Sequence, residues 1–479
     1  MPSSSDPVRT QLDFGVALVR SRDYAGAVAA FQRAIAADPR SVAAHVNLGI
    51  TFATAGQLDG AIAAFRSAIG IAPDIARLYF NLGAALKRQG AIDEAILCYE
   101  RAAALEPSVA VLNNLGSTLR ERGRVDEAIA TFRQALRIDE RSAVVHLNLG
   151  TALEDKTELE DATAAYERAC ALDPTLAPAQ RALAQVLVER DHVYQGFAEY
   201  RRYARRSRER RSRSVIVAST PPRKRQHDRE QAHYLLEEGP SEAPELQIDE
   251  TACLSHPVLG PASDATRIEA AWTSAHPKIV VVDGLLTGDA LEALRRFCWR
   301  STIWNSSYGG GYLGAFPEDG FAPAVLARAS VELRARFPTI FRRLPLKLWW
   351  AFKCESGAPG IGVHADFAAV NVNFWITPDA ANLDAESGGL RIWNVPAPLG
   401  WDYQKYNADP AAIRGFLARA GAKSVTVPYR ANRAVIFDSN LFHQTHRPRF
   451  KDGYLNRRIN ITLLYGLRES AGDDYPAIP

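Results

Sequence analysis

The sequence predicts a multidomain protein in which an all-α solenoid precedes an α+β domain built on antiparallel strands. The first part of the chain repeats one helical pattern at steps of 34, 34, 33 and 34 residues. From Lys278 onward this pattern gives way to short apolar or alternating segments, which are typical of strands. A chain of 479 residues also exceeds the usual size of one domain, so two or three domains are expected.

The helical repeat is defined by a glycine with small and aromatic residues at fixed distances after it. The glycines are Gly15, Gly49, Gly83, Gly116 and Gly150. An alanine follows each glycine by 12 residues, an aromatic residue by 16 and a second alanine by 19. Four of the five units close with proline, and the fourth has Glu140 instead. Small residues let two helices approach closely, and the aromatic ring fills the gap beside them.

This pattern resembles the tetratricopeptide repeat. The resemblance implies a solenoid whose concave face binds peptides or proteins. A degenerate sixth unit follows, with Leu183, Ala184, Gly196, Tyr200 and Tyr203. The predicted repeat domain therefore covers residues 8–205, with five clear repeats and a sixth that caps the stack.

Asparagines recur two residues before the repeat glycines and are candidates for the inner face. They are Asn47, Asn81, Asn114 and Asn148, with Asn113 beside the third. Paired amide hydrogen bonds from such side chains can hold the backbone of a peptide. Alternatively, the asparagines bridge neighbouring repeats, and the sequence favours neither interpretation.

The predicted connector, residues 206–276, begins inside a basic segment. Arginine and lysine dominate residues 201–225, which suits either an acidic or nucleic-acid partner or a solvated helix end that enters a linker. The absence of interleaved aromatic residues after Tyr203 favours the linker. A short amphipathic helix is expected at 228–238 and a loop at 239–275.

Composition excludes several classes of protein. The net charge of +3 gives no support for binding to nucleic acid or membranes. The five cysteines are scattered and lack CxxC spacing, which argues against a disulfide framework or zinc site and favours a reducing compartment. No apolar run is long enough to cross a bilayer. We therefore expect a cytoplasmic protein with no membrane association.

The C-terminal domain, predicted at residues 277–479, combines helices with many short strands. Helices are expected at 288–299 and 323–342. Strands are expected at 279–286, 346–354, 361–366, 370–377, 389–393, 423–428, 433–438 and 458–466. Such a series favours an antiparallel barrel or sandwich, of which the jelly-roll is the closed form. The glycine-rich stretch at 308–316 and the long segment at 394–422 are candidates for lids or for surface elaboration.

Three polar motifs interrupt these strands. His364 and Asp366 are two residues apart, so on a strand both face the same side. His443 follows an apolar strand. Near the chain end, Arg458, Asn460 and Thr462 share one face of a strand whose other face is apolar. A similar polar face carries Asn371, Asn373 and Trp375.

This constellation resembles the iron(II)- and 2-oxoglutarate-dependent oxygenases, whose pattern is HxD, a distal histidine and an arginine on the last barrel strand. The resemblance implies a double-stranded β-helix (jelly-roll) in which Fe(II) is held by His364, Asp366 and His443. It further implies that 2-oxoglutarate is bound by Arg458 with help from Thr462, Asn460, Asn373 and Trp375, and that dioxygen is the co-substrate. His446 is an alternative to His443, and Arg457 is an alternative to Arg458.

The two resemblances together imply a dioxygenase that hydroxylates a protein or peptide recruited by the repeats. Tetratricopeptide repeats also occur beside prolyl and aspartyl hydroxylases that act on polypeptides, which supports the combination by analogy. Two alternatives remain at this point. The oxygenase could act on a small molecule while the repeats drive oligomerisation, or the chain could be a non-catalytic scaffold.

Overall fold

The structure is a computed structural model that describes residues 6–212, 221–238, 257–261, 264–341 and 343–468. It divides into two compact units, Met1–Ala179 and Gln180–Pro479. The sequence places the end of the repeat domain at residue 205, whereas the first unit ends at Ala179. The helices expected to form the sixth repeat lie mainly in the second unit.

The first unit is an all-α solenoid of antiparallel helix pairs. Its helices are α1 (Pro7–Arg20), α2 (Tyr24–Ala37), α3 (Val42–Thr54), α4 (Leu58–Ile71), α5 (Ala76–Gln89), α6 (Ile92–Leu105), α7 (Val109–Glu121), α8 (Val125–Ile138), α9 (Ala143–Asp155) and α10 (Leu159–Leu172). Each helix packs against the next along the chain. This arrangement confirms the predicted solenoid.

The repeat glycines are explained by the aromatic rings that cover them. A Cβ atom on Gly49 would lie 2.6 Å from the Phe65 ring, and one on Gly116 would lie 2.6 Å from the Phe132 ring. Both rings are almost fully buried. Because glycine has no side chain, the first helix of each pair can accept the ring of the second, which sets the close approach within a repeat.

The asparagines of the first helices have two roles in the structure. Asn148 Nδ2 donates to Asn113 Oδ1 at 2.8 Å, so this pair bridges neighbouring repeats. Asn114 instead donates to the carbonyl of Ala110 in its own helix. Within the described residues, no hydrogen bond is seen from the side chains of Asn47 or Asn81.

The second unit contains ten strands and eight helices within its described residues. The helices are α11 (Ala177–Glu189), α12 (Val193–Ser212), α13 (Pro222–Glu238), α14 (Ala265–Ser274), α15 (Gly288–Arg300), α16 (Ala324–Arg336), α17 (Pro338–Phe341) and α18 (Pro410–Arg419). The strands are β1 (Ile279–Asp283), β2 (Ser306–Tyr308), β3 (Tyr312–Ala315), β4 (Leu346–Cys354), β5 (Val370–Trp375), β6 (Leu390–Pro396), β7 (Ser424–Val427), β8 (Arg433–Asp438), β9 (Leu441–Thr445) and β10 (Arg458–Tyr465).

The strands form two antiparallel sheets. The larger has the order β1-β8-β5-β10-β4-β3-β2, and the smaller has the order β7-β6-β9. One face of the larger sheet packs against helices through residues such as Trp349, Ile461 and Val372. The opposite face packs against the smaller sheet, where Trp375 and Phe437 meet Ile392. The polar residues of β5 and β10 lie on this inner face, between the two sheets.

Three sequence-based assignments in this unit were wrong, and the glycine-rich stretch has a regular structure. The segment 361–366 is not a strand, because it makes only one isolated bridge, from His364 to His443. The glycine-rich stretch is a hairpin, β2 and β3, which pairs with β4. The helix expected at 323–342 breaks at Pro338, which cannot continue the hydrogen-bond ladder. The expected loop at 239–275 contains α14, while residues 239–256 lie outside the described residues.

The sixth helix pair and the connector pack within the second unit. In α12, the Phe197 ring stacks on Trp349 with 4.2 Å between centroids. Arg201 donates to the Ala322 carbonyl at 2.6 Å. In α13, Arg223 pairs with Glu355 at 2.8 Å. Part of the basic segment therefore holds this unit together, and residues 213–220 lie outside the described residues. No helix in the described part of the chain is long and apolar enough to span a membrane.

Candidate metal and anion site

Two histidines and one aspartate converge between the two sheets. Ligand atoms of His364, Asp366 and His443 all lie within 4.8 Å of one another. His443 Nε2 is 3.4 Å from one carboxylate oxygen of Asp366, and His364 Nε2 is 3.9 Å from the other. Two imidazole nitrogens and a carboxylate oxygen at these separations can coordinate a single metal ion.

The two histidines are placed by backbone pairing. His443 lies on β9, and its peptide group exchanges two hydrogen bonds with that of His364, at 2.8 Å and 3.0 Å. The backbone N–H of Asp366 donates to the carbonyl of Ser439 at 3.1 Å. Although the segment that carries His364 and Asp366 is not a strand, these bonds direct both side chains toward His443.

Both histidines have the tautomer that metal coordination requires. Nδ1 of His364 lies 2.8 Å from the Gly362 carbonyl, and Nδ1 of His443 lies 3.0 Å from the Leu441 carbonyl. A carbonyl oxygen can only accept, so each Nδ1 carries the hydrogen. The lone pair of each imidazole is then on Nε2, the atom that faces Asp366.

The charges of the cluster also suit a cation. Burial, together with His443, lowers the pKa of His364 to about 4, so its imidazole is neutral near pH 7. Burial pushes the pKa of Asp366 upward, but the hydrogen bonds and charges of His443, His364 and Asn371 outweigh it and leave this pKa below its usual range. Asn371 Nδ2 donates to Asp366 Oδ2 at 2.8 Å and orients the carboxylate.

Arg458 is a buried cation on the inner face of β10. It is 1% exposed, and the described residues provide no ion pair for it. Its guanidinium donates to the Gly388 carbonyl and, at 2.8 Å, to Asn460 Oδ1. It also lies 5.8 Å from the centre of the Trp375 ring. A buried charge with only neutral acceptors is costly, so an anionic ligand would stabilise this site.

The polar face between Arg458 and the cluster is formed by β5 and its neighbour β10. Asn373 pairs with Thr462 across the two strands, and its Nδ2 donates to Thr462 Oγ1 at 3.0 Å. Trp375 pairs with Asn460 in the same register. The buried atoms Asn371 Oδ1, Asn373 Oδ1 and Trp375 Nε1 have no hydrogen-bond partner within the described residues. A bound ligand or an ordered water could satisfy these buried groups.

His446 and Arg457, the alternatives to His443 and Arg458, have partners outside the site. His446 Nδ1 donates to the Glu386 carbonyl at 2.8 Å, and His446 is not part of the metal-ligand group found among the described residues. Arg457 pairs with Glu230 at 2.8 Å. The geometry thus brings together all eight residues expected from the sequence, and it favours His443 over His446 and Arg458 over Arg457.

Several supporting residues were missed by sequence reasoning. The Gly388 carbonyl accepts from Arg458, and the sequence signal for it was the Gly388–Gly389 pair before β6. A Cβ on Gly389 would lie 1.9 Å from the Val427 carbonyl, so only glycine fits there. Asn407 donates to the Ala365 carbonyl from 42 residues away, and no local pattern could have revealed it.

Comparisons with known proteins bear on the first unit. Family models described as the tetratricopeptide repeat match residues 12–76, 80–143 and 143–176. The N-terminal region is an array of tetratricopeptide repeats. Arrays of this kind form extended surfaces for binding other proteins, so this region is a protein-binding scaffold.

Solved structures similar to this chain include three that match only part of its length. A MamA protein is 24% identical and covers 35% of this chain and 92% of its own, with a TM-score of 0.34. PilF of Pseudomonas aeruginosa is 23% identical and covers 41% of this chain and 91% of its own, with a TM-score of 0.36. YrrB, described as a TPR protein with an unusual peptide-binding site, is 21% identical and covers 35% of this chain and 88% of its own, with a TM-score of 0.32. A comparison with curated proteins found no match.

Proposed function

We propose that the second unit is an Fe(II)- and 2-oxoglutarate-dependent dioxygenase and that its two facing sheets form a double-stranded β-helix. The observation that carries this proposal is the pairing of two sites on one inner face. The cluster of His364, Asp366 and His443 is joined through Asn371 to the polar inner face of β5 and β10. The same face carries a fully buried arginine, Arg458, that has no carboxylate partner within the described residues.

The donor set fits Fe(II). Two imidazoles and one carboxylate form the facial triad typical of non-haem iron, and they leave coordination positions for other ligands. His364 and His443 present Nε2 because each Nδ1–H is held by a backbone carbonyl. Asn371 holds the carboxylate of Asp366, which fixes the third ligand. The presence of a carboxylate ligand argues for hydroxylation over halogenation.

The polar face fits a dicarboxylate. Arg458 would bind the distal carboxylate of 2-oxoglutarate in the bidentate manner that suits a guanidinium. Trp375 Nε1, a buried donor without a partner in the described residues, would donate a further hydrogen bond to the same group. The strand segments between Arg458 and the metal cluster carry the polar side chains of Thr462, Asn460 and Asn373. The surrounding sheets exclude water, which strengthens each of these interactions.

When bound, the metal and 2-oxoglutarate supply the oxidative chemistry, in which dioxygen and 2-oxoglutarate become succinate, carbon dioxide and one oxygen atom inserted into a substrate C–H bond. The chain's residues bind and orient the two partners. The imidazole of His364 needs no proton removal before it coordinates a metal near pH 7, because burial already lowers its pKa.

We propose that the substrate is a protein or peptide. The tetratricopeptide repeats supply the binding surface, and the free amides of Asn47 and Asn81 are candidates for contacts with a peptide backbone. A small-molecule substrate with repeats that serve oligomerisation is the alternative. Mass spectrometry of proteins captured by the full chain, before and after reaction, separates the two. A captured protein that gains the mass of one oxygen supports the polypeptide substrate.

Succinate formation tests the enzyme itself. With Fe(II), 2-oxoglutarate and oxygen, we expect the wild-type chain to release succinate even without its substrate, at a slow uncoupled rate. His364→Ala and His443→Ala should reduce this release to background, because each removes a metal ligand. His446→Ala is the matched control and should retain it. Loss of activity in His446→Ala with retention in His443→Ala would show that the ligand assignment is wrong.

A further inference from the structure

The metal-binding loop, residues 360–367, is held only in part by the sheets. His364 is anchored to His443, and Asp366 is anchored to Ser439. Ala365 lies between these two ligands, and neither of its peptide groups pairs with a strand. Two glycines, Gly360 and Gly362, precede the ligands and give this loop little conformational restraint of its own. The peptide groups of Ala365 are therefore the point at which the loop needs support.

That support comes from the insertion at residues 394–422. Its π turn, Gln404–Ala408, bonds to both sides of Ala365. The Ala365 N–H donates to the Tyr406 carbonyl at 3.0 Å, and Asn407 Nδ2 donates to the Ala365 carbonyl at 3.0 Å. Turns of this kind are rare and concentrate at functional sites.

The π turn is itself held firmly. Directly after it, Asp409 caps α18 by accepting from the backbone N–H groups of Ala411 and Ala412 at 3.1 Å and 2.9 Å. An apolar cluster also packs the insertion against the metal-binding loop and against β9. The insertion contributes Ala397, Tyr406, Ile413 and Leu417, the loop contributes Val363 and Ala365, and β9 contributes Phe442. The insertion is thus packed as a wall of the site and is not a loose surface loop.

We propose that Asn407 is a positioning residue that sets the metal-binding loop, and that the insertion at 394–422 is a structural part of the metal centre. This inference rests on the proposed function, because it presumes that His364 and Asp366 bind a metal. The two ligands flank Ala365, so rotation of either Ala365 peptide turns one ligand away from His443. Asn407 and Tyr406 together prevent both rotations, which leaves the ligands preorganised before a metal arrives.

Metal affinity measured with Mn²⁺ alone tests this inference. In Asn407→Ala, calorimetric titration of the full chain should show Mn²⁺ binding weakened about 10-fold, the lower range for residues that orient metal ligands. Asn407→Asp, which keeps the shape but loses the donor, should weaken Mn²⁺ binding at least as much. Asn456→Ala is the matched control, because Asn456 Nδ2 also donates to a backbone carbonyl, that of Asp452, at 2.7 Å.

If Asn407 only stabilised the fold, its loss would lower the melting temperature without a specific loss of Mn²⁺ affinity. If Asn407 positions the loop, its loss lowers Mn²⁺ affinity as well. Asn407→Ala and Asn456→Ala each lose one side-chain hydrogen bond, so their melting temperatures should fall by similar amounts, while only Asn407→Ala should lose Mn²⁺ affinity. Equal Mn²⁺ affinity in wild type and Asn407→Ala would overturn the inference and leave the proposed function intact. Failure of the wild-type chain to bind Mn²⁺ would instead remove the proposed function itself.

Hydrogen exchange provides a second test that needs no variant. In the metal-free wild-type chain, the Ala365 amide should exchange slowly, because Tyr406 already holds it. Exchange of the peptide that contains Ala365 at the rate of an unstructured chain would overturn the inference, even if the Asn407 variants failed to fold.

Discussion

At the scale of single residues, Arg458 is unusual because its positive charge is buried. It is fully buried, and its neighbours are neutral acceptors, Gly388 and Asn460. Some half-buried cations of the second unit do have carboxylate partners, as Lys347 has Glu189 at 2.6 Å. An anion bound to Arg458 would recover free energy lost by burying its charge, so we expect ligand binding and stability to be linked at this residue.

Replacement of Arg458 by methionine should separate its effect on ligand affinity from its effect on stability. We expect Arg458→Met to bind 2-oxoglutarate about 100-fold more weakly in the presence of Mn²⁺, since it loses two charge-assisted hydrogen bonds. Its stability without ligand should stay the same or rise, because an unpaired buried charge is gone. Calorimetric titration and thermal melting measure the two quantities.

Arg457→Met is the control for Arg458→Met. Arg457 pairs with Glu230, so its loss should cost a little stability and leave 2-oxoglutarate affinity unchanged. The assignment of Arg458 would be contradicted by normal 2-oxoglutarate binding in Arg458→Met.

At the scale of secondary-structure elements, α13 is fixed to the second unit by a buried histidine. His227 is fully buried, its Nε2 is 3.2 Å from Lys353 Nζ, and its Nδ1 is 3.2 Å from Asp228. The rings of Trp304 and Tyr454 enclose Nζ of Lys353, which lies 4.5 Å and 4.2 Å from their centres. Burial, reinforced by Lys353, lowers the pKa of His227 from 6.5 to about 3.

This shift predicts how stability depends on pH. As the pH falls below 6.5, the unfolded chain takes up a proton at His227 that the folded chain refuses until about pH 3. The contribution of His227 to stability is therefore fully present above pH 6.5 and is lost as the pH falls toward 3. His227→Gln removes this proton uptake, so its melting temperature should fall less steeply with acidification than that of the wild type.

Tryptophan fluorescence can follow this unfolding selectively. All 8 tryptophans, the first of which is Trp272, lie in the second unit. Melting curves from pH 7 to pH 4 should therefore report on the unit that contains α13. Identical slopes for wild type and His227→Gln would contradict the assigned role of His227.

The repeat helices allow a second test at this scale. Gly49→Ala places a Cβ 2.6 Å from the Phe65 ring, and we expect it to lower the free energy of unfolding by about 1–3 kcal/mol through overpacking. Gly70, in the other helix of the same repeat, is exposed and has open space around it. Gly70→Ala should raise the free energy of unfolding by about 0.5–1 kcal/mol, because alanine restricts the unfolded chain and favours helix.

Denaturant unfolding followed by far-ultraviolet circular dichroism checks this pair of variants. A wild-type or higher midpoint for Gly49→Ala would show that the glycine is not required for the contact between the two helices of a repeat.

At the scale of the whole molecule, local patterns in the sequence predicted more of the first unit than of the second. The spacing from Gly49 to Phe65 lies within one helix pair, so the sequence alone reveals it. The position of His443 was harder to infer. Its strand β9 follows β8 after only two residues, Ser439 and Asn440, and the sequence reads as one strand with a polar end. Burial of His443 and the bond of His446 to Glu386 distinguish the two histidines, and both depend on tertiary contacts.

Long-range pairing explains what the sequence could not reveal. Arg458, Asn460 and Thr462 were recognisable from the alternation within one strand, because alternation is local. The Gly388 carbonyl and the Asn407 amide come from segments 70 and 42 residues away from their partners. The extent of the second unit was hidden for the same reason. Helix α12 carries the pattern of the sixth repeat, but its Phe197 stacks on Trp349 of the second unit.

The central claim is that one chain holds Fe(II) and 2-oxoglutarate together, and anaerobic absorption spectroscopy tests it most directly. Addition of Fe(II) and then 2-oxoglutarate to the full chain without oxygen should produce a weak charge-transfer band in the green region. The band should require both additions, saturate near one equivalent of each, and be absent in His364→Ala. A folded wild-type chain that binds both compounds yet gives no band, or that binds neither, would contradict the account.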